Sequence, residues 1–218
     1  MKKKVGLIFL CILMVLTVAG CGEKKAEEPK YPALEDVETP SNAEEGSYGG
    51  FTAQYDADNW VFNTGLGQFA IYDKEDFESS SDKVTNINVR VSGEYDGKID
   101  EELMNELMKQ LKVIGMNGFE ITDNKLMTFN GEPIIYYEAE TTLTDDMIDL
   151  LIEEGSITEA DITALGGREK LKNSGSVSQV GINAVVDGNM LAVTGTYNED
   201  PSEVLDAMKL LIKTGKVD

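Results

Sequence analysis

VSQVGINAVVDGNMLAVTGTY, residues 177–197, is the stretch whose reading decides the fold. Val180, Ile182, Ala184 and Val186 fall at alternate positions and so share one face of an extended strand. Asp187-Gly188 is a two-residue turn of the kind that closes a hairpin, and Met190 to Tyr197 returns as the partner strand. The apolar face of this hairpin needs a cover, and the chain supplies one at once. Asp200 fits a helix N-cap, Pro201 the first helical position and Glu203 the reciprocal capping position. Val204, Leu205, Met208, Leu211 and Ile212 face inward, Lys209 and Lys213 suit the negative end of the dipole, and Gly215 suits the C-cap.

Working outward, Phe119 to Phe129 and Ile134 to Thr142 flank Asn130-Gly131 as an earlier hairpin, with Pro133 suggesting an edge strand or a bulge. Asp100 to Ile114 reads as a helix whose stripe is Leu103, Leu107, Leu111 and Ile114, with Met104 and Met108 as core, ended by Gly115 and Gly118. Phe51 to Tyr55, Trp60 to Phe62 and Phe69 to Tyr72 read as short strands, and Ile87, Val89 and Val91 alternate as in a half-buried one. Between the hairpins, residues 144–175 read as a helical insertion or lid. Helices are expected from Thr144 to Ile152 and from Thr158 and Asp161 to Gly166-Gly167, with basic Arg168, Lys170 and Lys172 beyond. Residues 49–218 are therefore expected to form one α+β domain, an antiparallel sheet packed under helices.

The counts exclude several chemistries. The chain has 218 residues, with 19 basic and 40 acidic side chains, no histidine and a net charge of −21. Without histidine there is no Ser-His-Asp or Cys-His nucleophile pair and no imidazole ligand, and the usual zinc sites are absent. The acidic excess argues against nucleic acid as a partner. No cofactor, metal ligand or catalytic residue is assigned.

The first residues read as an address. Lys2, Lys3 and Lys4 precede an apolar run from Val5 to Leu16, then Ala19, Gly20 and Cys21. This is the layout of a secretory signal peptide, and its centre is too short for a membrane-spanning helix of about 20 apolar residues. Val18-Ala19-Gly20-Cys21 resembles the lipobox of bacterial lipoproteins, which are cut before the cysteine and acylated on its sulfur. The resemblance implies a leader at 1–20, a diacylglyceryl- and palmitate-bearing Cys21, and a domain held on the outer face of a cell membrane by its bilayer partner. Cys11 would leave with the leader, so no disulfide could form within the mature chain. Loss of residues 1–20 removes three lysines and no acid, so the net charge becomes −21 − 3 = −24. Residues 21–48, polar and carrying Pro29, Pro32 and Pro40, are expected to be a flexible tether.

Tyr55-Asp-Ala-Asp-Asn-Trp-Val-Phe62, and Val185 to Tyr197 with the capped helix after it, resemble the opening and closing segments of the PsbP-like family. That family includes extracytoplasmic photosystem-associated proteins and a eukaryotic Ran-binding import factor. The resemblance covers about residues 50–218 and implies an α+β fold and a non-catalytic binding role. It brings no functional residue and no photosystem partner.

Other patterns are weighed against simpler readings. Ser80 with Lys83, and Lys213-Thr-Gly215, match fragments of penicillin-binding enzymes, but no Ser-Asp-Asn triplet lies between them. Gly65, Gly67 and Ala70 fit a dinucleotide fingerprint but lead into a strand, so they read as turn residues. Asp56, Asp58 and Asn59, and the acidic loop Asp73, Glu75, Asp76, Glu78 and Asp82, are candidates for calcium or plain solvated loops. Trp60, Tyr136 and Tyr137 are candidates for a ligand groove or for packing. The reading that results is an anchored, non-enzymatic protein- or ligand-binding module, with 144–175 as its contact surface and its partner unidentified. The alternatives are a small envelope hydrolase using paired carboxylates and a calcium-responsive sensor.

Overall fold

A computed structural model describes residues 31–64, 67–79, 84–114, 118–153, 157–174 and 177–218. The leader, Cys21, residues 22–30 of the tether and Ser80 to Lys83 lie outside the described residues. The elements are β1 (Ala43–Tyr48), β2 (Phe51–Asp56), β3 (Trp60–Asn63), β4 (Phe69–Asp73), α1 (Lys74–Ser79), β5 (Asn86–Glu94), α2 (Glu101–Ile114), β6 (Phe119–Phe129) and β7 (Glu132–Thr141). They continue with α3 (Asp145–Glu153), α4 (Glu159–Ala164), α5 (Arg168–Ser174), β8 (Val177–Val186), β9 (Asn189–Tyr197), α6 (Ser202–Thr214) and β10 (Lys216–Val217). The fold is α+β and antiparallel. Seven strands run in the order β3-β4-β5-β9-β8-β7-β6, and β1-β2-β10 form a second, smaller sheet.

Both hairpins turn as their sequences require. Asn130 and Gly131 have φ of 55° and 85°, Asp187 and Gly188 of 50° and 74°, the double positive φ of a tight hairpin turn. Pro133 corrects the expectation of an edge strand, because β7 lies between β6 and β8. It stands opposite Thr128, one step from the turn, while β8 begins to pair only at Ile135. Its missing N–H therefore falls where no strand asks for one.

The edge is β6, and the chain itself covers part of it. Thr128 donates its N–H to Pro32 O (2.8 Å), and its carbonyl accepts the Leu34 N–H (2.8 Å). Ala33 and Thr128 form a parallel bridge. Tyr31 and Leu34 pack against the two faces' cores, and Lys213 Nζ holds Asp36 Oδ1 and Oδ2 (2.9 Å each) and Val37 O (2.7 Å). The expectation of a flexible tether to residue 48 is thus corrected for 31–48. Residues 31–37 are a strap laid on the domain, and 43–48 are strand β1 paired along β2. The few apolar residues in a polar stretch found cover, and an unpaired strand edge offered hydrogen bonds.

One face of the large sheet and the small sheet enclose α6. Phe51, Phe69, Ile71, Ile87, Val180, Ile182, Leu191 and Met208 are almost fully inaccessible there. Gly195 admits this packing, since a Cβ would lie 2.2 Å from Val204 Cγ1. The ends of α6 differ from expectation. Pro201 is the N-cap, and Asp200 Oδ1 accepts from the Ser202 N–H (2.9 Å) and hydroxyl (2.7 Å); no capping box involves Glu203. Gly215 is extended, with φ −62°, and is needed because a Cβ would lie 2.7 Å from Leu211 O and 2.9 Å from the Phe51 ring. Lys209 is buried and pairs with Asp206 (2.6 Å) rather than serving the helix dipole.

The opposite face carries α2, whose Leu103 and Met108 meet Leu126, Ile135, Tyr137 and Met190. The insertion has its own small core of Leu143, Ile148, Ile162 and Leu171. Thr158 and Asp161 form a capping box, and Gly166 and Gly167, both at φ 96°, end α4. Helix α5, a basic stretch in the sequence, ties the insertion together. Arg168 bridges Asp149 and Glu159 (2.7 Å each), and Lys172 reaches Asp145 (3.1 Å) and Glu169 (2.7 Å).

Candidate functional site

The aromatic groove expected from sequence is not assembled. Trp60 and Tyr136 belong to the core around α6, Tyr137 to the core under α2, so they stand on opposite faces and all three are buried. The reason is parity: Tyr136 and Tyr137 are neighbours on one strand and must point to opposite sides. Tyr137 lies across Gly181, where a Cβ would meet its ring at 2.0 Å. The Tyr136 hydroxyl donates to Glu138, and Lys125 Nζ sits 4.9 Å from its ring centroid. Burial and the Glu138 carboxylate push the Tyr136 hydroxyl well above the usual phenol range, so it stays a donor.

The acidic loops are also structural. The expected loop after Asp73 is helix α1, capped by Asp73 Oδ1 accepting the Asp76 N–H (2.8 Å). Asp56 closes the turn into β3: Oδ1 accepts from Asn42 Nδ2 (2.6 Å) and the Asp58 N–H (3.0 Å), and Oδ2 from Asn59 Nδ2 (2.8 Å). Among the described residues no group of three or more Asp, Glu, His or Cys side chains is placed to hold a metal ion. Lys213-Thr-Gly215 ends α6, with Lys213 on the strap and the Thr214 hydroxyl accepting the Gln54 N–H (2.9 Å).

A different set of residues forms a coherent, largely buried polar layer. Six of the seven buried polar side chains among the described residues are Asn88, Thr141, Gln179, Asn183, Thr194 and Thr196, from 5 % exposed for Thr196 to 8 % for Asn88. Strand register puts them on the α2 face of the large sheet. Tyr72, Asn86, Thr196 and Gln179 form one row across four strands; Ala70, Asn88, Thr194, Gly181 and Tyr137 form the next; Arg90, Ala192 and Asn183 form a third. Gln68 Nε2 donates to Asn88 Oδ1 (2.9 Å), Asn88 Nδ2 to Asn86 Oδ1 (2.8 Å), and Asn86 Nδ2 to Val84 O (2.8 Å). At one end Phe77 of α1 stands 5.4 Å from Tyr72, centroid to centroid; at the other Tyr137 closes the row. Ala70, Gly181 and Ala192 keep the middle low.

These rows offer amides and hydroxyls, which hydrogen-bond in both senses, and the donor-only guanidinium of Arg90. The chain of donors fixes which way each amide points, so the surface is pre-organised. None of its side-chain amides or threonine hydroxyls stands out in the sequence, and of its members Tyr137 alone is a ligand-groove candidate there. The sequence carries these amides and hydroxyls as the polar half of the alternation in β5, β8 and β9.

A second feature lies beyond α2. Asn105, Met108, Lys109, Lys112 and Val113 of α2, with Asn124 of β6, line a groove of about 500 Å³. Among the described residues no helix is long and apolar enough to cross a membrane.

No family model matches this chain, and no curated protein matches its sequence. Among solved structures it is similar to cyanobacterial PsbP (CyanoP) from Synechocystis sp. PCC 6803, with 11% identity and a TM-score of 0.45, covering 83% of this chain and 95% of that one. It is also similar to the Ran-binding protein Mog1p of Saccharomyces cerevisiae, with 10% identity and a TM-score of 0.43, covering 81% of this chain and 95% of that one.

Proposed function

We propose that this chain is a lipoprotein anchored through acylated Cys21 on the outer face of a cell membrane, and that its α+β domain is a non-enzymatic module binding a protein or small ligand. The anchor is supported by the charged start, short apolar centre and Ala19-Gly20-Cys21. The observation that carries the binding role is the pre-organised field of amides and hydroxyls on β5, β9 and β8, flanked by Tyr72 and Phe77 on one side and Tyr137 on the other. Such a field suits a hydrogen-bonding ligand that can exchange for the partners its amides already have.

The test has two arms. Mass spectrometry of the N-terminal peptide is expected to show cleavage before Cys21 and an acylated sulfur, and Cys21→Ser to leave the membrane fraction. The acylated chain, used as bait in membrane extracts, is expected to recover a defined partner that an Asn88→Leu/Thr194→Val double variant of unchanged helix content loses. An intact leader removes the anchor; equal recovery by both baits removes the binding surface.

A further inference from the structure

The strap changes how far an anchored domain can stand from its membrane. With residues 31–37 held on β6 and α6, only nine residues, 22–30, lie between Cys21 and Tyr31, ten steps of chain. At roughly 3.5 Å per residue they reach at most about 35 Å. The place where the described chain begins is fixed as well. The bridge from Ala33 to Thr128 is parallel, so residues 31–33 run the same way as β6, with Tyr31 on the side where Asn124 lies. Tyr31 packs beside Ile99 and Leu103 at the start of α2, and Asn124 lies beside Lys109 and Lys112 nearer its end. The described chain therefore begins beside α2.

That surface has an unusual charge for this molecule. Residues 107–119 contain two lysines and neither Asp nor Glu, in a chain with 40 acids. Lys125, Arg168, Lys172, Lys209 and Lys213 each pair with a carboxylate, whereas among the described residues Lys109 and Lys112 pair with none. The nearest acid of α2, Glu106 one turn back, accepts from Gln110 Nε2 (3.3 Å). Beside these lysines Val113 is 68% exposed, against 40% for Phe77 and 38% for Tyr48.

Resting on the Cys21 anchor proposed above, we infer that the C-terminal half of α2, with Lys109, Lys112 and Val113, is the face that rests on an anionic phospholipid bilayer. The net charge does not forbid this, since only groups within a Debye length of about 8 Å feel the surface. Nor does the contact need to be strong. A short tether holds the face at an effective concentration of about millimolar, so weak attraction suffices to orient it. Docked in this way, α2 turns towards the lipid and the opposite edge of the sheet, β3 and α1, turns outward.

The acylated full chain carries no other thiol, so Val113→Cys and Phe77→Cys each place one environment-sensitive dye. Each is bound to vesicles of phosphatidylcholine alone, or of two parts phosphatidylcholine to one part phosphatidylglycerol. The dye at 113 is expected to shift to the blue on the anionic vesicles, to lose that shift with Lys109→Glu/Lys112→Glu, and the dye at 77 to stay in water. Without any label, exchange of the amides of Leu107 to Val113 in the native chain is expected to slow on the anionic vesicles only. No shift and no slowing at α2 overturns the face, as does an equal shift at 77. Co-flotation with vesicles and the mass of Cys21 report the anchor separately: a chain that floats with α2 in water loses this inference alone, and an unmodified Cys21 removes both.

Discussion

On one face of the seven-stranded sheet, Ile87, Val89, Val180, Ile182, Leu191 and Val193 lie against α6 and the small sheet; on the other, the same strands present Asn88, Arg90, Gln179, Asn183, Thr194 and Thr196. The first face is closed by a helix buried nearly all round. The second is divided, apolar under α2 on β6 and β7 and polar across β5, β9 and β8. Dispersion and water exclusion hold the first, and they reward any well-packed apolar residue. The polar rows are held by directional bonds that reward only one arrangement. A strand pays no attention to this difference locally, since parity alone assigns its residues to a face. The teaching is that fold and site are written on alternate residues of the same strands.

The comparison breaks most visibly on the dry side. Leu211→Ala, at a fully inaccessible position of α6, is expected to cost about 2–5 kcal/mol in urea denaturation, the lost transfer term plus the cavity. A loss under 1 kcal/mol would mean that α6 is not the centre of the core. On the mixed side, Gly181→Ala pushes a methyl into the Tyr137 ring, and an overpacking cost of about 1–3 kcal/mol is expected. Adding Tyr137→Ala should cancel much of it, since the clash disappears with the ring; strict additivity of the two would show that the ring does not lie over Gly181.

Among the amides the expected effect is smaller. Asn88→Ala removes the acceptor of Gln68 and the donor to Asn86, both half-buried and able to recruit water. A net cost of about 0.5–1.5 kcal/mol follows. Asn88→Asp keeps the acceptor for Gln68 but sets a buried carboxylate against Asn86 Oδ1, so it should cost more than Asn88→Ala. If Asn88→Ala proved more costly than Leu211→Ala, the polar rows rather than α6 would be the stabilising layer.

Much of the fold was legible because its devices are local. Asn130-Gly131 and Asp187-Gly188 need positive φ at both positions and so announce their hairpins; Thr158 and Asp161 announce a capped helix. What stayed hidden depends on distant partners. Strand β1 exists because β2 offers an edge, and β10 is two residues long. Helix α5 is fastened by Arg168 and Lys172 to acids of α3 and α4. Gly215 looked like a left-handed cap and is instead a close approach to Phe51. The three aromatic candidates do not share one groove for a reason visible in the sequence: adjacent Tyr136 and Tyr137 point to opposite faces of their strand, and Tyr137 borders the amide rows. The amide rows were passed over because a sequence shows which residues alternate but not which alternating residues meet across strands.

The smallest effect separates the strap from the domain it lies on. The Lys213 ammonium, hydrogen-bonded to both oxygens of Asp36, holds that carboxyl below its ordinary value of 3.8, helped by the Val37 N–H. A group whose pKa is lowered on docking contributes its full share above the undocked value and loses it as pH falls through the docked one. The strap should therefore stay closed at neutral pH and loosen only below pH 3.8, with little change in global stability, because the pair is exposed. The Leu34 N–H, bonded to Thr128 O at 2.8 Å, is the reporter. Its exchange, corrected for the intrinsic effect of pH, should accelerate below that pH while amides of β8 and β9 do not. Lys213→Met should bring the same acceleration at neutral pH and abolish its pH dependence. If Leu34 remains as protected in that variant as in the native chain, the hydrogen bonds to Thr128 hold the strap unaided, and the ion pair at the end of α6 is incidental to it.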